Sequence, residues 1–455
     1  MSRGEPCYVP TRKIEALEPG QRPQEDTIVF DLNDCSFSTR GLETFAGKNW
    51  QAVIYDTVVV TAAIEFADRM VKRPESGWRR RLIVRIPVHE PGQWEAPSVY
   101  GALVNCISFL TGDDWEFEFV QRQFAARPPE QGVLELPMRS AAVLAYSDGL
   151  DSRAMAGIFG KTRRGRLVRV RVGLNVADID KDRRHRDAFT RVPYELRLKS
   201  KSRESSARSR GFKFAIISAI ASHLTETHEI IIPESGQGAL GPALVLVGHG
   251  YPDFRNHPQF TQRMERFVYA LFGTPITYTF PRMAFTKAQT LREFIDLTDD
   301  TQISTAKSCW RKNHWVSVDG GWRHCGVCAA CMLRRMSMHA AGIHESRDAY
   351  ICEDMSAPSL VDAVAPGYDK VEGAYTRYAI AGVLHLDHLA EMAFSDRQSE
   401  VRRHAGLVSA ALGETLEKSY GGMKTMLSMH ATEWRNFVNE LGTRSYVRHW
   451  ARVVQ

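Results

Sequence analysis

Two groups of residues in this 455-residue chain have the types and spacing to do chemistry. The first is the stretch YSDGLDS, Tyr146–Ser152, which follows the apolar run SAAVLA and precedes a run with helical character. A strand, a Ser/Gly-rich turn and a helix in that order gather backbone N–H groups at one helix N-terminus, where the helix dipole favours phosphate. Ser147 and Ser152 add hydroxyl donors, and Asp151, set beside a polyphosphate, is suited to hold Mg²⁺. The stretch lacks the Gly-Lys-Ser/Thr ending of a Walker loop. It also carries Asp148, whose Cβ and negative charge stand close to the expected phosphates. An ordinary polar strand-to-helix turn is the plain alternative. The second group is Cys309, Cys325, Cys328 and Cys331. Two-residue gaps let neighbouring sulfurs reach one ion, and four thiolates satisfy tetrahedral Zn²⁺ with no open position. The site is therefore expected to be structural, contributing on the order of 10 kcal/mol to local folding. Reduced thiols or an iron–sulfur cluster are the alternatives, and His314 and His324 lie near enough to replace a ligand. Arg334 and Arg335 follow at once and read as surface or substrate-facing.

The surrounding chain must position these groups. Its composition, 44% hydrophobic and 25% charged, is that of a globular protein. No apolar run approaches the roughly 20 residues that span a bilayer, and the polar N-terminal stretch has no leader-like apolar core, so the chain is expected to be cytoplasmic. Eight cysteines, four of them clustered, suggest metal rather than disulfides. The net charge of +6 is too mild for a dedicated nucleic-acid coat. Lys and Arg concentrate between 161 and 213, either as a solvated basic face or as a patch for an anionic ligand, ATP or RNA.

The length suggests two or three domains. Residues 1–138 carry the apolar β-branched runs 50–64 and 79–88, a helix-compatible stretch 96–112 and the alternating 114–124, which together read as an α/β unit ending in the linker AARPPEQG. Residues 139–345 alternate strands, at 140–147, 166–173 and 228–235, with helices, which implies a doubly wound parallel sheet. Ligands bind such sheets at the carboxyl ends of the strands, where both the 147–152 loop and ESGQG (234–238) fall. Residues 346–455 read as helical.

The loop resembles the PP-loop of ATP pyrophosphatases, Ser-Gly-Gly-x-Asp-Ser, with Asp148 in place of a Gly. Paired with the cysteine pattern it resembles the QueC family, the 7-cyano-7-deazaguanine synthases. The stretch SCW…CGVCAACMLRR is similar to that family's cysteine-rich ending. GYPDFRNHPQF (250–260) resembles its Gly-Tyr-Pro-Asp-Cys-Arg stretch, with Phe254 for Cys. FTKAQTL (285–291) resembles its Thr-Lys-Ala-Glu stretch. SRGFKFAIISAIA (209–221) lies where the family has Gly-Arg-Asn, with Arg210 and Gly211 in reversed order. The resemblance covers about residues 140–345. The flanks, the length and PESGQGAL (233–240) look more like the elongated antiphage-defence branch, the QatC type.

The resemblance implies a PP-loop ATPase fold (adenine nucleotide alpha hydrolase-like) with a zinc site of four cysteines, an N-terminal α/β unit and a helical C-terminal extension. It implies a ligase using ATP and Mg²⁺, with Zn²⁺ structural, that adenylates the carboxylate of a 7-deazaguanine base, 7-carboxy-7-deazaguanine. An amine then displaces AMP to give an amide, or a nitrile on further dehydration. In the defence branch the amine would be the N-terminus of a partner protein from the same operon. Ser147, Asp148, Gly149, Leu150, Asp151 and Ser152 would hold the nucleotide and metal, and Lys287 or Arg210 would offset developing charge. Glu234 would receive hydrogen bonds from the guanine-like edge, and Tyr251, Asp253 and Arg255 would line the base pocket. Surface salt bridges, a loop carboxylate and a Pro252–Asp253 turn with helix cap are the respective plain readings. The competing functions are 7-cyano-7-deazaguanine synthesis for queuosine, tRNA modification by a PP-loop enzyme using the basic stretch, and a scaffold with a decayed loop. Nucleic acid is the less favoured partner, and no membrane role is expected.

Overall fold

The computed structural model describes residues 11–37, 51–75, 77–124, 141–147, 149–173, 189, 192, 194–199, 201, 203–248, 250–306, 316–318 and 321–452. Asp148, Cys309 and the linker AARPPEQG therefore lie outside the described residues. The chain divides into two units, each assembled from separated stretches. The first comprises Met1–Tyr146, Arg164–Ile232 and Asp253–Thr279, and the second Ser147–Arg163, Pro233–Pro252 and Phe280–Gln455.

The first unit contains two all-parallel four-stranded sheets. One runs in the order β2 (Thr27–Asp31), β1 (Thr11–Leu17), β4 (Arg81–Val88), β5 (Asp114–Gln121). β3 (Cys35–Phe37) pairs antiparallel with β8 (Tyr194–Leu196). The β-branched residues of 50–64 would suit a strand, yet helix α1 spans Ala52–Met70. At 19 residues it is far longer than an ordinary strand of ~5–6, and its burial on almost every side marks it as a core helix. Thr57 and Thr61 spend their hydroxyls on the carbonyls of Val53 and Thr57, at 2.6 and 2.7 Å, so they enter the core satisfied. Helix α2 (Pro97–Thr111) starts on Pro97 and stops at Gly112, whose φ of 72° few other residues adopt.

Beneath these elements Arg80, fully buried, bonds Asp68 and Asp113 with its Nη2 at 2.6 Å each, and Arg73 Nη1 reaches Asp113 at 2.7 Å. The other Asp68 oxygen accepts the N–H groups of Arg208 and Ser209, both at 2.7 Å, at the start of α4 (Arg210–Leu224). Asp68 thus anchors the chain as it enters α4, whose N-cap Ser209 makes no side-chain cap of its own.

The second sheet has the order β10 (Thr277–Thr279), β9 (Glu229–Ile231), β6 (Ala142–Ala145), β7 (Leu167–Val170). All its pairings are parallel, as the strand-helix alternation requires. The chain passes from β6 out to β7 and returns to the far side of β6 as β9, so the order reverses between β6 and β9. The carboxyl ends at such a reversal form a binding crevice in open α/β sheets.

The second unit is mainly helical. Helix α3 (Leu150–Thr162) lies against α6 (Lys287–Thr298) so closely that a Cβ on Gly157 would meet the Phe294 ring at 2.3 Å. Helix α5 (Pro258–Phe272) belongs to the first unit. The short hairpin β11–β12 (Val316–Val318, Gly321–Arg323) leads into the cysteine loop and α7 (Ala329–Ala340). Three longer helices follow, α8 (Ala374–Glu391), α9 (Gln398–Leu412) and α10 (Leu416–Glu440). Their core includes Leu386, Leu427 and a fully buried Trp434, whose indole N–H donates to Asp387 at 2.8 Å. Among the described residues no helix is long and apolar enough to cross a membrane.

Helix α8 crosses the cysteine loop at Gly382, where a Cβ would sit 2.4 Å from the Val327 carbonyl oxygen and 3.2 Å from the Ala329 nitrogen. Both neighbours are backbone and cannot step aside. Gly382→Ala is expected to lower the unfolding free energy by about 1–3 kcal/mol in denaturant titrations. Gly406→Ala, on α9 where nothing lies within 4 Å of the added carbon, should instead be neutral or mildly stabilising.

Candidate functional site

The chain leaves β6 at Ala145 and enters α3 at Leu150, and the intervening turn is closed by its own serines. The Ser147 N–H donates to Ser152 Oγ at 3.1 Å, and the Gly149 N–H donates to Ser147 Oγ at 3.2 Å. Ser152 Oγ bonds back to the Ser147 carbonyl and lies 3.1 Å from the Gly149 carbonyl oxygen. Leu150 is buried and anchors the first turn. Gly149 is the N-cap and has no side chain with which to cap, which leaves the N-terminus of α3 of the kind that suits an anion.

Asp151, in that first turn, pairs with Lys287 Nζ. Lys287 opens α6, is 6% exposed, and has a second carboxylate, Glu234 Oε1, at 3.9 Å. Burial alone would lower the ammonium's pKa, but Asp151 and Glu234 outweigh it and hold the value above that of a free lysine. Lys287 is therefore a fixed cation between two carboxylates. The three groups follow three adjacent strands in the chain: Asp151 after β6, Glu234 after β9 and Lys287 after β10.

Two devices fix the lysine's backbone. Thr286 and Gln289 form a capping box, Thr286 Oγ1 accepting from the Gln289 N–H at 3.2 Å and Gln289 Oε1 accepting from the Thr286 N–H at 2.8 Å. The Lys287 N–H donates to Gln237 Oε1 at 2.8 Å. Gln237 sits in a turn that only glycine permits, since a Cβ on Gly236 would lie 2.1 Å from the Met283 carbonyl oxygen. Threonine and glutamine three apart are a legible capping signal, whereas nothing in GQG marks Gln237 as a ligand to Lys287.

Tyr251 is half-buried in the second unit, while Arg210, Asp253 and Arg255 belong to the first. Asp253 is buried, accepts the Arg255 N–H at 3.2 Å and Arg255 Nε at 3.1 Å, and has Arg208 Nη1 at 3.3 Å. Burial would raise its carboxyl, but Arg255 and Arg208 hold it well below the usual carboxylate range. Its charge is thus spent on a turn and two guanidiniums. Arg210 is exposed, with its guanidinium 5.3 Å over the Phe214 ring.

The expectation for Arg334 and Arg335 is corrected. Arg334 is 1% exposed, donates to Glu345 at 2.6 Å, and bonds the carbonyls of Ser304 and Ala306. Arg335 donates to the carbonyls of Cys352 at 2.5 Å and Glu353 at 3.1 Å. Arg334 is an internal brace, and the half-buried Arg335 ties α7 to the Cys352–Glu353 backbone.

Cys325, Cys328 and Cys331 are buried, with sulfurs all within 4.8 Å of one another. The Cys328 N–H donates to Cys325 Sγ at 3.5 Å, and Cys325 and Cys331 sulfurs are 3.7 Å apart. Gly326 adopts a φ of +82°, and a Cβ there would meet Cys352 at 2.9 Å. Three soft, buried donors converging in this way fit a thiophilic cation, and Zn²⁺ held by these residues would brace the loop under α8. His324 does not join the group, lying ring to ring with Tyr350 at 5.7 Å.

Residues 245–342 match the family model described as queuosine biosynthesis protein QueC. The matched segment contains Lys287 and the cysteine cluster but neither the 147–152 turn nor Glu234. No curated protein and no solved structure matches the chain.

If the cluster holds zinc, purified protein carries about one equivalent by atomic spectroscopy, and Cys328→Ser reduces it to a small fraction. Metal-free but normally folded protein would refute the site.

Proposed function

We propose that this chain is a QueC-like PP-loop enzyme that uses ATP with Mg²⁺ to adenylate the carboxylate of a 7-deazaguanine base and pass the acyl group to an amine. The observation that carries the reading is the Asp151–Lys287–Glu234 constellation beside the serine-closed turn and uncapped helix start, together with the QueC match across the lysine and cysteines.

A free carboxylate resists nucleophiles because it is already anionic, whereas an acyl adenylate has a good leaving group. The N-terminus of α3, with Ser147 and Ser152, would cradle the phosphates. Asp151 would carry Mg²⁺, which supplies charge neutralisation on the polyphosphate. Lys287 would turn from Asp151 toward the departing pyrophosphate, offsetting the charge that develops there. Glu234 would accept from the donor edge of the base. The intact Asp151–Lys287 pair favours a working loop over a decayed one, since a scaffold has no need to keep an ion pair at that position.

The product amine is the finer part of the reading. The chain's length, its flanks and PESGQGAL favour the elongated antiphage branch, where a partner protein's N-terminus takes the place of ammonia. The enzyme would then act in the cytoplasm as a C–N ligase joining a deazaguanine to that protein. Biosynthesis of 7-cyano-7-deazaguanine from ammonia is the alternative product.

ATP–pyrophosphate exchange is expected with 7-carboxy-7-deazaguanine and not with unrelated carboxylates. Failure of calorimetry to detect Mg²⁺–ATP binding would overturn the enzyme reading. Lys287→Met should lower the kcat of exchange roughly 10²–10³-fold, the scale of losing one donor to a developing anion. An unchanged kcat would remove Lys287 from the mechanism.

A further inference from the structure

Helices α8 and α10 lie wholly outside the QueC-like segment, yet they reach the lysine's anchor. Gln237 Nε2 and His430 Nδ1, on α10, are 2.8 Å apart, and His430 Nε2 is 2.8 Å from the Leu386 carbonyl of α8. A carbonyl can only accept, so Nε2 carries the proton and Nδ1 is the acceptor. The Gln237 amide must then face its NH2 toward His430 and its oxygen toward the Lys287 N–H. Each bond in this relay has one allowed direction. His430 is fully buried, and burial pushes it down to about 4, against the Leu386 carbonyl and Asp387, so it stays neutral across the neutral range.

A second arm ends on the same helix start. Thr286 Oγ1 accepts from the Gln289 N–H and donates its own proton to Glu433 Oε1 at 2.7 Å. Glu433 is buried on α10, one turn from His430. Between the two arms a Cβ on Gly236 would come within 2.9 Å of Met426 Cγ, so the Gln237 turn is pressed onto α10 with no slack.

We propose that Gln237, His430 and Glu433 are positioning residues for Lys287, and that the C-terminal helices are by this route part of the nucleotide site rather than an appended module. The inference rests on the reading of Lys287 given above. The N–H of a first-turn residue has no intrahelical acceptor, and among the described residues Gln237 accepts the Lys287 amide, so that amide reports on the relay with or without turnover.

The test compares His430→Leu with His430→Asn, whose side-chain oxygen can take the place of Nδ1 as acceptor. In His430→Leu the Lys287 amide, followed by hydrogen-exchange NMR on the full chain, should exchange at least tenfold faster while the interior of α6 stays protected. The kcat of ATP–pyrophosphate exchange should fall tenfold or more with the KM for ATP little changed. His430→Asn should restore most of both. Gln237→Met removes the Oε1 that accepts the Lys287 N–H without altering α10 and gives the same two readouts if His430→Leu does not fold. Unchanged amide protection overturns the relay, and lost protection with unchanged kcat overturns the positioning role. Wild-type protein without pyrophosphate exchange would strike the adenylation reading instead, while amide protection would still decide whether α10 holds Lys287.

Discussion

A lysine ammonium that is almost out of water must be neutralised where it stands, and the second unit is arranged around that requirement. Lys287 is 6% exposed between Asp151 and Glu234. Asp151 and Glu234 together outweigh the cost of burying the ammonium and keep it charged. The same pairing sets the neighbouring geometry. Asp151 must sit in the first turn of α3, Glu234 must leave β9 beside it, and α6 must begin at Lys287 and nowhere else, which the capping box enforces.

Much of this was legible from residue types. The strands at 142–145, 167–170 and 229–231 announce themselves as short apolar runs, and the turn after the first carries its serines, glycine and aspartate in one contiguous stretch. The cysteine cluster is equally local. What sequence alone could not supply is distance through the fold. Lys287 and Asp151 are 136 residues apart, and nothing in the sequence pairs the carboxylate of the turn with that lysine, which by itself reads as an ordinary surface charge. Asp253 shows the converse: the stretch GYPDFR looks like a pocket wall, but two guanidiniums already claim that carboxylate. The β-branched run in α1 misleads because composition favours a strand, while its length and all-round burial decide for a helix. β10, Thr277–Thr279, has no apolar run to announce it, since two of its three residues are threonines.

Arg334 belongs to the same lesson. A pair of arginines after a metal-binding motif suggests substrate, yet a long side chain on a helix can as well turn inward and bind carbonyls. Arg334 does so at Ser304 and Ala306 and adds Glu345, which keeps a buried charge paired. Only the direction in which α7 faces distinguishes the two fates, and that direction is set by the cysteine loop before it.

The second unit is built from Ser147–Arg163, Pro233–Pro252 and everything from Phe280 onward. On a ribosome these pieces emerge far apart in time. Once α3 has been synthesised, more than 250 residues follow before α10 begins, an interval on the order of tens of seconds at ~5–20 residues per second. Gln237 and Thr286, once made, lack their partners on α10 until the end of it, so the turn before α3 is made early and the anchor of Lys287 last. On the proposed function, a nascent chain would carry its phosphate-binding turn for most of its synthesis before the helix that aligns Lys287 exists, which would tie the onset of activity to the completion of its last long helix.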